Sequence, residues 1–114
     1  MKLIFKIAGA EEWRRAEAAG VFEGAAVDRA DGYIHFSTAS QAAETAAKWF
    51  SGREDLVLVA VDAESLGSAL RWEPSRGGAL FPHLYAPLSL SSVRWARALP
   101  LGADGRHVFG TLDL

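Results

Sequence analysis

An unbroken apolar run, Leu56-Val57-Leu58-Val59-Ala60-Val61, sets the tightest limit on what this chain can fold into. A run this short, rich in valine and closed by Asp62, fits a strand better than a helix. Because it never alternates to polar residues, it fits burial on both faces. A sheet built around it needs cover on two sides. In 114 residues, half of them apolar, one domain can supply that cover by packing alone. Cysteine is absent, which excludes disulfides, a thiolate zinc site and a cysteine nucleophile.

The charges narrow the partners. Formal net charge is −2, and no run of lysine or arginine forms the stripe that neutralises a phosphate backbone, so bulk nucleic-acid binding is not expected. Lys6 interrupts the opening apolar stretch before a signal peptide could form, and no segment approaches the roughly 20 apolar residues that span a bilayer. The expectation is a soluble, cytoplasmic chain without a membrane contact.

The remaining elements follow from periodicity. Leu3, Phe5 and Ile7 alternate with Lys2, Ile4 and Lys6, which predicts an opening strand ending at Gly9. Residues 10–19 are strong helix formers with acids in the first turn and Gly20 at the left-handed cap, Trp13 and Ala16 marking the buried side. The Gly-, Ala- and Asp-rich stretch 21–32 reads as a loop, with a short strand near Val21-Phe22. Thr38 with Gln41 matches a capping box, and Ala42, Ala43, Ala46, Ala47, Trp49 and Phe50 supply a helical apolar surface running to Gly52. Leu70-Arg71-Trp72-Glu73 is a shorter strand stopped by Pro74. Val93, Trp95 and Leu99 mark another strand, and His107-Val108-Phe109 opens a last one. Trp49, Trp72 and Trp95 read as packing residues. The order predicts a single α+β domain over residues 1–114, two helices of the N-terminal half packed on a mixed, mostly antiparallel sheet.

Two segments concentrate the groups able to do chemistry: Asp31-Gly32-Tyr33-Ile34-His35-Phe36-Ser37 and Phe81-Pro82-His83-Leu84-Tyr85-Ala86-Pro87. If both are extended, period-two alternation puts His35 with Ser37 on one side, and His83 with Tyr85 on one side. Imidazole can donate and accept at once near neutral pH. A plainer alternative is a half-exposed strand histidine followed by a helix-capping serine. For the second segment the alternatives are an aromatic wall that grips a flat ring, with the Tyr85 hydroxyl reaching a phosphate or ribose, and a core corner whose histidine bonds to backbone. Glu73, an acid held extended before Pro74, could orient a hydroxyl or steady developing positive charge. Asp31, before Gly32, reads as a turn former. No spacing supports a metal site, and no glycine-rich phosphate loop or Gly-x-Ser-x-Gly elbow is present.

Through these two segments, together with Gln41 and Arg71-Trp72-Glu73, nearly the whole chain resembles the small bacterial family called domain of unknown function 952. The family's second motif carries glycine where this chain has Ala86. The family is itself remotely similar to the ADP-ribosyltransferase superfamily, which binds NAD in a cleft of a split antiparallel sheet and cleaves its nicotinamide glycosidic bond. That resemblance implies NAD or another nucleotide-like small molecule as substrate, His35 and Ser37 on its ribose or phosphate side, and His83 and Tyr85 packed on nicotinamide or ribose. Glu73 would steady an oxocarbenium-like transition state, so Glu73 and His83 would be the catalytic pair, with His35, Ser37 and Tyr85 as ligand contacts. Without catalysis, the same pocket would recognise a small anionic metabolite or a protein partner.

Overall fold

The computed structural model describes residues 2–112, the Arg76 side chain excepted. Strand β1 (Leu3–Gly9) leads into helix α1 (Ala10–Ala19), β2 (Val21–Phe22), α2 (Ala26–Asp31), β3 (Ile34–His35) and α3 (Ala39–Trp49). The second half is mostly extended: β4 (Leu56–Asp62), β5 (Leu70–Pro74), β6 (Leu80–Leu84), β7 (Leu88–Ser89) and β8 (Val93–Ala98), with a 3-10 stretch (Ala63–Ala69) between β4 and β5. The strands form three sheets, β1-β4-β8, β2-β7 and β3-β6-β5, in which all strand pairings are antiparallel.

β4 lies at the centre of the first sheet and is buried on both faces, as its composition requires. Val59 and Val61 join Ile4, Trp13, Phe22, Ile34, Phe36 and Leu84 in one core cluster. Leu58 and Ala60 turn the other way, to Phe5, Ile7, Ala46 and Leu99. Helices α1 and α3 thus contribute to opposite layers. The same alternation applies to β1, where Lys6 shares its face with Ile4 and is drawn under the first layer rather than into solvent.

Several expectations need correction. Residues 26–31 form a third helix where a loop was expected, because Asp28 accepts from the Ala25 amide at 2.8 Å and Gly32, left-handed at φ 89°, ends the turn. The sheets contain no parallel pair among the described residues, so the expected mixed character is absent. His107 makes only an isolated bridge with Leu101, its ring reaching the Arg53 carbonyl instead of entering a last strand. α3 buries only Ala42 and Ala46, and Trp49 is 65% exposed, because α3 ends at Trp49 and packs through a narrower stripe than its composition suggests. Gln41 does close half of the expected box, its side-chain oxygen accepting from the Thr38 amide at 3.0 Å.

Candidate functional site

The sheet β3-β6-β5 separates the chemistry from the core. His35 stands opposite His83, which in turn faces Arg71 on β5. Neighbours across an antiparallel pair share a face, so these three residues lie on one side with Tyr33, Tyr85 and Glu73, two positions along their strands. Ile34, Leu84, Leu70 and Trp72 take the opposite side and pack into the core.

On the polar face the rings are in contact. Tyr33 stacks on His83 with centroids 4.1 Å apart and planes 26° from parallel, and lies 4.6 Å from His35 and 5.2 Å from Tyr85. The two histidine rings meet edge to face at 5.6 Å. The Arg71 guanidinium sits 4.8 Å from the Tyr85 ring centroid, within cation–π range.

Each histidine has its own carboxylate. His35 Nδ1 lies 2.6 Å from Asp28 Oδ1, and His83 Nδ1 2.8 Å from Glu73 Oε1. Asp28 also accepts from the Lys6 ammonium and from the Ala25 and His35 amides. Burial alone would raise its pKa, but the His35 hydrogen bond, the Lys6 charge and hydrogen bond, and the Ala25 amide together hold the carboxyl well below the usual range. Burial also draws the Lys6 pKa down, against the pull of Asp28. The two shifts oppose each other over the charge of Lys6. The anion's direction prevails, because a carboxylate collecting this many donors is ionised, and at 2.8 Å it keeps the ammonium protonated.

Glu73 sits in the open. The Tyr85 hydroxyl donates to its Oε1 at 2.6 Å alongside His83, and these two hydrogen bonds lower its pKa against a smaller desolvation effect. The same bond raises the Tyr85 pKa, as do burial and the Glu73 charge. Desolvation raises that of Tyr33, helped by the charges of Asp31 and Glu73. Glu73 Oε2 has no hydrogen-bond partner among the described residues.

Of the five residues expected in the site, four converge: His35, Glu73, His83 and Tyr85. Ser37 does not join them. Phe36 N–H still bonds to Pro82 on β6, but Ser37 pairs with Phe5 on β1, so the chain changes sheets between His35 and Ser37. The Ser37 hydroxyl is buried against Thr45 Oγ1 at 2.9 Å. Three contributors were missed. Tyr33 stood inside the first motif without a role; Lys6 was read on a polar strand face, although Ile4 on that face already hinted at burial; Asp28 lay in the supposed loop. Asp31, read as a turn former, lies 2.9 Å from His35 Nε2. A cavity of about 300 Å³ adjoins the cluster, lined by Tyr33, Tyr85, Gly32, Arg29 and Asp28 among others.

Residues 7–96 match the family described as a protein of unknown function, DUF952. The chain belongs to the DUF952 family. Among solved structures, this DUF952 chain is similar to the crystal structure of protein CC0527 from Caulobacter crescentus, at 58% identity and TM-score 0.91 with 95% of each chain covered. A double mutant of that protein matches at 56% identity and TM-score 0.90, again over 95% of each chain. Its solution structure matches at 59% identity and TM-score 0.84, covering 93% of this chain and 91% of that one. No curated protein matches the DUF952 chain significantly. No helix among the described residues is long and apolar enough to cross a membrane.

Proposed function

We propose that this DUF952 chain binds a nucleotide of the NAD or ADP-ribose type and acts at its N-glycosidic bond, in the manner of the ADP-ribosyltransferase superfamily, to which its family is remotely similar. One observation carries the reading: Glu73 is a half-exposed carboxylate whose Oε1 is clamped by His83 and Tyr85 while Oε2 has no hydrogen-bond partner among the described residues, beside stacked aromatic rings. As a nitrogen heterocycle leaves a ribose, positive charge develops at the anomeric carbon. A fixed anionic oxygen stabilises that charge without reorganising. Tyr33 and Tyr85 offer ring faces to a flat heterocycle, and Arg29 and Arg71 offer charge to phosphates. The separate antiparallel sheets are compatible with the split sheet of that superfamily. Ser37 has its hydroxyl engaged elsewhere, so its expected part passes to Tyr33 in this reading.

NMR titration with NAD and ADP-ribose should move the ring signals of His35 and His83, and no movement at either histidine would sink the proposal. With turnover in hand, Glu73→Gln should lower it on the order of 100-fold or more while ligand affinity is kept. The second reading, a binding module without catalysis, has its own support. The cavity beside the rings is lined by Glu23, Asp28, Arg29, Tyr33 and Tyr85 but by neither histidine nor Glu73, so a ligand seated in it would not touch the proposed catalytic pair. Ligand binding with no turnover in the native chain would decide for it.

A further inference from the structure

The two histidines of the site are tied at the same ring atom and differ at the other. His35 Nδ1 lies 2.6 Å from Asp28 Oδ1, and His83 Nδ1 lies 2.8 Å from Glu73 Oε1. The donors gathered around each acid favour its ionised form, and an ionised carboxylate only accepts, so each Nδ1 carries a proton and donates it. In a neutral ring the lone pair then belongs to Nε2. His35 Nε2 is already engaged, 2.9 Å from Asp31 Oδ2. His83 Nε2 makes no hydrogen bond among the described residues.

That free nitrogen is not sealed either. The His83 side chain is only 5% exposed. Yet among the described residues the one buried side-chain nitrogen or oxygen without a partner is Trp13 Nε1, so the small part of the His83 ring that meets solvent includes Nε2. Tyr33 stacks on the ring at 4.1 Å and the His35 ring meets it edge to face at 5.6 Å, which holds the imidazole against rotation. The product is a fixed base with one open atom. An opening this narrow suits water better than a bulky acceptor.

We infer that His83 is the proton acceptor for an attacking water, working through Nε2, and that Glu73 is its positioning residue through Oε1 while Oε2 faces the anomeric carbon. The water oxygen bonds to the anomeric carbon as its proton passes to His83 Nε2. The carbon–nitrogen bond breaks, and its electron pair leaves with the heterocycle. Nδ1–H stays on Glu73, which stabilises the imidazolium until the extra proton is lost to solvent. The inference rests on the proposed function for its substrate and narrows that function to hydrolysis.

Two measurements test it. Long-range proton–nitrogen NMR correlation of the imidazole rings, at about pH 8 where an imidazole is ordinarily neutral, should show native His83 protonated on Nδ1 and bare on Nε2. Glu73→Ala should release that ring to a mixture of both forms. With NAD as the probe and nicotinamide release as the readout, His83→Gln should lower kcat on the order of 100-fold with KM nearly unchanged. Native His83 protonated on Nε2, an unchanged ring in Glu73→Ala, or NAD turnover that survives in His83→Gln overturns the inference and leaves the nucleotide reading standing. The first of these is read on the native chain, so a His83→Gln variant that fails to fold does not shelter the inference. Neither binding nor turnover of NAD by the native chain removes both.

Discussion

The two histidine–carboxylate pairs are close in space and opposite in burial. In the first, the carboxylate is sealed and the histidine reaches out: the Asp28 side chain is 1% exposed, that of His35 33%. In the second the order is reversed, with His83 at 5% and Glu73 at 34%. A buried acid surrounded by donors is a support, costly to disturb. An acid at the surface held on one oxygen is available for chemistry. The same two residue types thus fill different roles because the elements carrying them face different layers.

Breaking the first pair should produce the largest effect. Asp28→Asn leaves the Lys6 ammonium buried without its anion, so a loss of about 3–5 kcal/mol is expected in urea or thermal unfolding. A loss below about 1 kcal/mol would show that the pair is not the support described. His83→Ala comes next, at about 2 kcal/mol or more, since it opens a void under Tyr33 and frees Glu73 from one of its donors.

Acid titration sharpens the contrast. The Asp28 pKa is depressed in the folded state, so its contribution is complete above the unfolded carboxylate value near 4 and is lost as pH falls through the lower folded one. Unfolding free energy measured from about pH 6 to 2 should fall more steeply for the native chain than for Asp28→Asn. Parallel curves would contradict the assignment. Smallest of all, Glu73→Gln should shift the melting temperature by no more than roughly two degrees, because an exposed, solvated acid contributes little to folding. A large drop there would make Glu73 a support like Asp28.

Much of this was legible because local rules and tertiary demands agreed. The apolar run at 56–61 announced a strand buried on both faces, the end of α1 and the start of α3 were marked by Gly20 and Thr38, and alternation paired His83 with Tyr85. Misreadings came where a longer-range contact overruled the pattern. α2 lacks a long apolar period, and much of what holds it comes from Asp28 reaching Lys6 on β1 and His35 on β3. Gly24, left-handed at φ 106°, lies so close that a side-chain carbon there would meet Asp28 Cβ at 2.9 Å, a constraint that no local signal reveals. Ser37 was misplaced because alternation holds only while a strand keeps one partner.

By itself, the order of residues determined the longer strands β1, β4, β5 and β8, two of the helices, and which side chains share a face while a strand keeps one partner, because these depend on backbone geometry and on neighbours a few positions away. Only the tertiary structure decided that His35 and His83 stand opposite one another, that Lys6 lies beneath Asp28, and that Asp31 covers the outer nitrogen of His35. Those contacts join residues brought together by sheet register and layer packing. Register is set by the burial of whole faces at once, which no single segment encodes.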